Sequence, residues 1–417
     1  MLFIVLSKIF ERFALRACSI PTVCALLLGG CGEFEVDLDK VGLTQNTQSN
    51  TPARSAPRPS TPPQTRQDYR KTAGQRALPT APSPSPQMDS HHTAGQATGP
   101  YGPRVHMSLT QLLNQSSFED VVVPTNYDVI INQNIKLGFI KVLGTLRCAD
   151  DFHGEVQTDG ILVMGTGAKF SCGTKTNRFT GKAKFILKNN RELSEMVQNA
   201  PHMMGGKAVV VMHGGTISMF GETNKSKYTR LDAQLKAGQN AITLAAQVDW
   251  AAEDDIVVST TSFYQDRSEK FGLSRVNPNR TITLDQDAQY DHYGNVQHFD
   301  DWQDNESYIL DERAYVANLT RNIVFMSAQD EHTANQIGAH MMVMHQGKAY
   351  IDGVEFFRVG QMEKMGRYPF HWHQMGDVDG QFIRNSSIHE SYHRCVTIHN
   401  THKAHVVNNI CYDHYGQ

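Results

Sequence analysis

A seven-residue stretch, Ile140-Lys-Val-Leu-Gly-Thr-Leu146, recurs further along the chain as Ile161-Leu-Val-Met-Gly-Thr-Gly167. A looser copy is Val211-Met-His-Gly-Gly-Thr-Ile217. Each copy places apolar side chains next to a glycine, as expected of a short strand that ends in a turn. Short strands that repeat with a period in the low twenties are typical of a parallel β-helix, whose coils stack on one another.

A second repeat lies near the end of the sequence. Phe382-Ile-Arg-Asn-Ser-Ser-Ile-His389 aligns with Val406-Val-Asn-Asn-Ile-Cys-Tyr-Asp413 at a similar spacing. The alignment makes Asn385 and Asn409 equivalent, and stacked Asn side chains can form a ladder along a coil stack. We therefore predict that residues 311–417 form coils of a parallel β-helix.

The folded part as a whole is predicted to be all-β. It should form a right-handed parallel β-helix, preceded by a β-domain at 121–231 and interrupted at 232–310 by a small inserted β module. Residues 121–230 are also compatible with a β-sandwich, because short strands between turns occur in both folds. Only the segments 107–113 and 191–200 have a helical pattern.

Residues 1–103 are predicted to lie outside the fold. Residues 1–31 resemble an export signal, in which an uncharged stretch at 20–30 is too short to span a bilayer. The signal ends in Leu28-Gly-Gly-Cys31, which resembles a bacterial lipobox. Cys31 is therefore predicted to be lipidated and to anchor the exported protein to the membrane at the cell surface. An ordinary signal peptide or a missed start codon is the alternative. Residues 32–103, rich in Pro, Ser and Thr, are predicted to be a disordered linker.

Composition excludes several classes of protein. The 417 residues include 39 Lys and Arg against 42 Asp and Glu, a net charge of −3. This balance argues against nucleic-acid binding, in which affinity comes from neutralised phosphates. Seven cysteines are too few for a small disulfide scaffold. Cys148 and Cys172 are separated by close to the length of one coil, and a disulfide between them is expected if their coils stack. Two free thiols are the alternative.

Histidine is concentrated near the end of the chain. Eight of the 19 histidines lie within residues 351–417. If Phe370-His-Trp-His373 is a strand, its aromatic residues point inward, and His371 and His373 share the outer face. In the next coil His399 takes the same face, about 5 Å from His373 by strand spacing. We therefore predict that the three histidines share one solvent-facing wall.

Two charged residues flank this wall. Arg394 begins the strand of His399, and Asp377 lies in the loop after the preceding strand. Imidazoles can act as general acid or base near neutral pH, and arginine can pair with the carboxylate of a uronic acid. Arg394, Asp377 and the three histidines are therefore predicted to be catalytic residues of a polysaccharide site. A His-x-His spacing also occurs in transition-metal sites, so metal binding stays open. A solvated face that is merely rich in histidine is the structural alternative.

Further motifs carry a resemblance to known proteins. The motifs within 121–231 are Asp128-Val-Ile-Ile131, Leu143-Gly-Thr-Leu146, Phe179-Thr-Gly-Lys-Ala183 and His213-Gly-Gly-Thr-Ile217. With them this segment resembles the eight-glycine (G-eight) domain. The later motifs are Leu319-Thr-Arg-Asn-Ile323, Gly366-Arg-Tyr-Pro-Phe-His-Trp-His373 and Arg394-Cys-Val-Thr-Ile-His399. These resemble the parallel β-helix of the family that contains the cell-migration-inducing hyaluronan-binding protein, the transmembrane cell-surface hyaluronidase and fibrocystin-like receptors.

The resemblance implies a function. It implies binding or endo-acting depolymerisation of hyaluronan or a related acidic polysaccharide, and a dependence on calcium. A non-catalytic carbohydrate-binding or adhesion protein is the alternative, and a structural stalk would leave the histidines unexplained. The sequence departs from the family pattern at Glu253-Asp-Asp255, where a Gly-Asp pair is expected. It also stops at Gln417 within a coil, whereas the family continues, so we expect either a fragment or a shortened form.

Overall fold

The computed structural model describes residues 104–116, 119–196, 204–301 and 306–416. The predicted export signal, Cys31 and the linker at 32–103 lie outside the described residues, so their assignment stays a prediction. None of the helices in the described part of the chain has the length and apolar composition needed to span a membrane.

Three parallel sheets form the body of the protein. From the second strand onward the chain winds through sheets I, II and III in turn, and it completes seven such coils. Sheet I contains β2 (Val121–Val123), β5 (Phe139–Val142), β8 (Gly160–Met164), β11 (Ala208–Met212), β22 (His340–Met344), β25 (Phe370–Asp377) and β28 (Val396–His402). Sheet II contains β1 (Val105–Ser108), β3 (Tyr127–Ile131), β6 (Thr145–Cys148), β9 (Lys169–Cys172), β12 (Thr216–Phe220), β23 (Lys348–Asp352), β26 (Phe382–Arg384) and β29 (His405–Val407). Sheet III contains β4 (Ile135–Lys136), β7 (His153–Thr158), β10 (Lys182–Leu187), β21 (Ile323–Ser327), β24 (Val354–Phe357), β27 (Ser387–Ser391) and β30 (Ile410–His414).

The prediction of a parallel β-helix is confirmed, and its coils include the segment 121–231. Ile140 pairs with Ile161, as the first sequence repeat predicts. Strand β11, in the predicted N-terminal domain, pairs in parallel with β22 of the later coils. The segment 121–231 therefore supplies the first coils of the same stack, and the sandwich alternative is wrong. Each early coil buries its apolar face against the next coil.

Aromatic side chains stack inside the coils. Phe185, Phe325 and Phe356 occupy the same register position on three neighbouring strands of sheet III. Their ring centroids are 4.9 Å and 5.7 Å apart, and both pairs are stacked. All three side chains are buried. Such a pair contributes about 1 kcal/mol beyond the burial of its area, so the ladder helps to fix the coil register.

A polar ladder follows the turns after sheet II. Gly353, Asn385 and Asn408 adopt positive φ angles of 72°, 52° and 57°, which glycine and asparagine tolerate best. The Asn408 amide donates to Asn385 Oδ1 at 2.7 Å, and the Asn385 amide donates to Asp352 Oδ1 at 2.7 Å. The predicted pairing of Asn385 with Asn409 is wrong by one position. Arg384 pairs with Val407, because this coil is shorter by a single residue than the alignment assumed.

The inserted β module lies between β12 and β21, within one coil. Its antiparallel sheet has the order β13 (Tyr228–Arg230), β20 (Tyr315–Asn318), β15 (Asp255–Val258), β16 (Glu269–Val276), β17 (Thr281–Leu284) and β14 (Ala241–Thr243), and a separate hairpin joins β18 (Gln297–Asp301) and β19 (Glu306–Leu310). Trp250 is buried in the apolar core of the module, and its indole N–H donates to the Ser226 carbonyl at 2.6 Å.

Short helical turns and two disulfides complete the described part. The helical segments are α1 (Leu109–Asn114), α2 (Glu331–Ala334) and the 3-10 turns Leu193–Met196 and Gln265–Arg267. Ser108 and Gln111 form a capping box at the start of α1. Cys148 and Cys172 are bonded across β6 and β9, with Cα atoms 4.8 Å apart. A second disulfide, Cys395–Cys411, joins the last two described coils and was not predicted.

The outer face of sheet I carries a second apolar cluster. Leu162, Val210 and Met342 lie in one row across three strands of the sheet. They are fully buried, and Leu193 and Met204 belong to the same cluster. Sheet I is therefore buried on both faces over these strands. His371 follows Met342 in the same row, so the candidate site continues an apolar surface that is already covered.

Candidate functional site

Three histidines lie at the end of sheet I, on strands β25 and β28. Alternation along β25 directs Phe370 and Trp372 into the β-helix core, where both are 0% exposed. His371 and His373 consequently take the outer face. On β28, His399 pairs with His373, so parallel pairing stacks the two imidazoles on one side of the sheet.

His371 is held in a fixed orientation. Its Nδ1–H donates to the Gly366 carbonyl at 2.9 Å, and the Tyr368 ring packs edge-on at 4.9 Å. Only 1% of the residue is exposed. Burial lowers the pKa of His371 to about 4, because water no longer stabilises the imidazolium ion. The ring is therefore neutral, and its Nε2 carries the lone pair.

His373 and His399 contact each other directly. Their Nδ1 atoms are 3.3 Å apart, so one ring donates and the other accepts. His373 is 8% exposed, whereas His399 is exposed to solvent. Burial, followed by the charges of His399 and His345, lowers the pKa of His373. The pair therefore consists of one buried imidazole and one solvent-exposed imidazole.

The nitrogen atoms of the three rings converge. One nitrogen from each of His371, His373 and His399 lies within 4.8 Å of those of the other two. Their ring centroids are 5.0 to 6.1 Å apart. Three nitrogen donors therefore surround one small volume at the outer face of sheet I. We call these three residues the histidine site.

The predicted solvent-facing wall is only partly correct. The three histidines share a face, but His371 and His373 are buried. Because side chains alternate along a strand, we expected the outer face to be exposed to solvent. The outer face of sheet I is instead covered by protein. The runs Ile161-Leu-Val-Met164, Val209-Val-Val-Met212 and Met341-Met-Val-Met344 carried this signal, because a strand without polar alternation is buried on both faces.

The two charged candidates have different surroundings. Arg394 precedes β28, and its guanidinium lies 5.7 Å from the centroid of the Tyr368 ring that packs on His371. Arg394 is exposed and forms no ion pair within the described residues. Asp377 is the last residue of β25 rather than part of a loop, and its carboxylate pairs with Lys403 Nζ at 2.6 Å. The Lys403 ammonium lowers the pKa of Asp377. Because Asp377 already has this counter-charge, Arg394 is the charged candidate that stays available beside the histidines.

Two exposed histidines extend the row and were not predicted as part of the site. His213 and His345 lie at the turns after β11 and β22, with ring centroids 5.3 Å apart. Both have positive φ angles. His345 is close enough to His373 to lower its pKa. The glycines after His213 form the turn that the sequence repeat predicts. The same turn places the His213 imidazole in line with the histidine site.

Calcium does not fit the histidine site. Calcium takes six to eight oxygen ligands, whereas the converging atoms are imidazole nitrogens, which suit zinc and other transition metals. In the described part of the chain the other group with metal-ligand spacing is Cys395, Cys411 and His414, and its two sulfurs are joined in a disulfide. Neither group contains a carboxylate, so neither supplies the oxygen ligands that calcium prefers.

Two known protein families match the chain. The G8 domain matches residues 111–232, and the CEMIP beta-helix matches residues 336–417. The first match covers the early coils and the start of the inserted module. The second covers the strands that carry the histidine site. The resemblance noted from the sequence is thereby confirmed.

Curated relatives share both segments at low identity. The G8 domain-containing protein DDB_G0288475 of Dictyostelium discoideum is 28% identical over 319 residues, which are 75% of this chain and 25% of that protein. Fibrocystin-L of Homo sapiens is 28% identical over 335 residues, which are 70% of this chain and 8% of that protein. The chain therefore spans a quarter or less of the length of these relatives.

One solved structure aligns with much of the chain. The tailspike protein gp49 from Pseudomonas phage LKA1 covers 72% of this chain and 38% of its own, at 11% identity and a TM-score of 0.19. A score this low supports no conclusion about function.

Proposed function

We propose that this protein binds an acidic polysaccharide at the histidine site and depolymerises it. The observation that carries the proposal is the convergence of three imidazoles beside Arg394 on one face of the last coils. Imidazole nitrogens and an unpaired guanidinium provide both proton-transfer groups and a carboxylate partner. The match to the CEMIP beta-helix over the same strands supports a glycan as the substrate.

Arg394 is the group best placed to bind a uronic acid. Its guanidinium rests on the Tyr368 ring rather than on a carboxylate. An arginine presents paired N–H donors that match the two oxygens of a carboxylate. Because Tyr368 also packs on His371, a uronate bound to Arg394 would lie next to the histidines.

Cleavage by elimination suits this site better than hydrolysis. Glycoside hydrolysis in most families uses two carboxyl groups that flank the bond. Within the described residues none of the three histidines forms a hydrogen bond or ion pair with a carboxylate. In elimination a base removes the proton next to the uronate carboxylate, the bond to the next sugar breaks, and that oxygen takes up a proton. The product carries an unsaturated uronate end.

The test uses the full chain and a panel of polysaccharides. Hyaluronan, chondroitin and polygalacturonate are the acidic members, and dextran is the uncharged control. We expect shorter chains with ultraviolet-absorbing unsaturated ends from at least one acidic member and none from dextran. His399→Ala should abolish this product. His402→Ala, an exposed histidine on the same strand, should retain it. Fragments without unsaturated ends would replace elimination by hydrolysis.

A second function, carbohydrate binding without cleavage, is favoured by the burial of His371, which lowers its pKa to about 4 and makes it a weak proton acceptor near neutral pH. Immobilised protein would then retain an acidic polysaccharide and leave its length unchanged. If no acidic polysaccharide is either retained or cut, the proposed function is wrong.

A further inference from the structure

We propose that His371, His373 and His399 bind one divalent transition-metal ion, of which zinc is the best match, and leave one ligand position open to solvent. This inference deepens the proposed function at the same residues. Its metal-binding part stands on geometry alone, and its role in substrate binding rests on the proposed function.

The orientation of His371 is that of a metal ligand. A histidine that binds a metal through one ring nitrogen commonly donates its other N–H to a carbonyl or carboxylate, which fixes the tautomer. His371 donates from Nδ1 to the Gly366 carbonyl at 2.9 Å. Nε2 therefore keeps its lone pair free, and it is buried without a hydrogen-bond partner among the described residues. Tyr368 packs edge-on against the ring and restricts its rotation.

The separation of His373 and His399 matches one edge of a tetrahedron. Two ligands at the usual zinc–nitrogen distance and the tetrahedral angle lie about 3.3 Å apart. The two Nδ1 atoms are 3.3 Å apart. The nitrogen of His371 lies within 4.8 Å of them, so a small side-chain rotation would complete three corners. A direct hydrogen bond explains the same pair distance but leaves Nε2 of His371 without a partner among the described residues.

Two buried polar atoms, on residues that pair across the two strands, make no hydrogen bond within the described part of the chain. They are Nε2 of His371 and Oγ1 of Thr397, which are register neighbours on β25 and β28. A buried polar atom without a partner costs about 1–3 kcal/mol. A metal ion bound by His371 would satisfy the first atom, and a water molecule bound to that ion could accept from the second. Both atoms thus indicate a polar occupant at the histidine site.

The exposure of His399 determines which side of the ion is open. His371 and His373 are covered, whereas His399 is exposed. Three protein ligands and one open position are the arrangement of catalytic rather than structural zinc sites. The open position would face solvent beside exposed His399 and would accept one carboxylate oxygen of a uronate. With the ion bound, the three histidines would hold the metal, and water or another group would accept the proton in place of the imidazoles.

The test measures metal binding without any polysaccharide. The full chain is loaded with Zn²⁺, dialysed against a weak chelator, and analysed for metal content per chain. Replacement by Co²⁺ then reports the coordination through its visible absorption. Wild type, His399→Ala and the control His402→Ala are compared, and circular dichroism verifies that each variant is folded. His399 is exposed, so its replacement leaves the core intact.

We expect one ion per chain in the wild type and in His402→Ala, with four-coordinate Co²⁺ absorption. We expect at least a tenfold loss of affinity in His399→Ala. Equal metal content in His399→Ala and the wild type would overturn the proposal, as would a wild type that retains no ion.

The outcome for metal and the outcome for substrate can be separated. Metal binding without any effect on polysaccharides would contradict the proposed function but would support the metal site. Unchanged depolymerisation after complete removal of metal would remove the role of the ion in substrate binding.

Discussion

The Nδ1 atoms of His373 and His399 lie 3.3 Å apart on neighbouring parallel strands, although 26 residues separate them in the chain. Parallel stacking produces this contact, because each coil returns the same face of the strand to the same position. The residue between His371 and His373 is Trp372, which points into the core and pairs in register with Ile398. The histidine site and the core of the β-helix therefore share one strand.

Replacing Trp372 by alanine should destabilise the protein by about 4 kcal/mol, because a large buried ring is lost and a cavity remains. The ring is 0% exposed, and its N–H donates to Gln381 Oε1 at 3.1 Å. Urea unfolding, followed by far-ultraviolet circular dichroism rather than tryptophan fluorescence, measures the change in the free energy of unfolding. His399→Ala on the neighbouring strand serves as the control and should shift the midpoint far less. A loss as small as that of the control would show that Trp372 is not part of the core.

Removing the disulfide Cys148–Cys172 with a double substitution to alanine should cost about 3 kcal/mol. The bond joins β6 to β9 and closes a loop with a sequence separation of 24. Its main effect is to restrict the unfolded chain. The thermal midpoint of the variant, compared with the wild type with and without a reducing agent, checks this. An unchanged midpoint in the variant would mean that the bond does not form in the protein.

Asp330→Asn should destabilise the protein by about 3–5 kcal/mol, because it leaves a buried ammonium group without its counter-charge. Lys207 is fully buried, and its Nζ donates to both Asp330 oxygens at 2.6 and 2.8 Å and to Thr333 Oγ1 at 2.7 Å. The double variant Lys207→Met with Asp330→Asn should recover part of this loss. Unfolding free energies of the two single variants and the double variant form the cycle. Simple additivity would contradict the coupling.

Glu355→Gln should destabilise the protein more at low pH than at high pH. Burial alone would lower the pKa of His389, but the Glu355 carboxylate at 3.1 Å, together with Glu390, raises it overall. A raised folded-state pKa stabilises the fold fully below the unfolded value of about 6.5, and this contribution is lost as pH rises through the folded value. Lys270 and Arg358 pair with Glu390 on the other side.

Free energies of unfolding of the wild type and Glu355→Gln, measured between about pH 6 and pH 9, test this sign. The difference between them should be about 2 kcal/mol at the acid end, as for a hydrogen bond to a charged group, and should shrink as pH rises. A difference that grows with pH would show that His389 is not protonated in the folded protein.

Much of the fold could be predicted because a β-helix repeats its own sequence. The pairing of Ile140 with Ile161 follows directly from the spacing of two similar stretches. The alignment near the end was less reliable, since Asn385 meets Asn408 and not Asn409. Coils differ slightly in length at their turns, and an ungapped alignment of two segments does not show where the extra residue lies.

The local pattern of residues is enough to predict which face of each strand the histidines take. Alternation along Phe370-His-Trp-His373 is a local property of extended backbone, so the large apolar residues and the histidines had to separate. Three further features depend on contacts between distant segments. The outer face is covered by protein, Asp377 pairs with Lys403, and His345 lies close enough to His373 to lower its pKa. Burial and convergence depend on which distant segments pack on the sheet. Leu193 and Met204 cover the outer face of sheet I through contacts between distant segments, and no local pattern in the chain encodes those contacts.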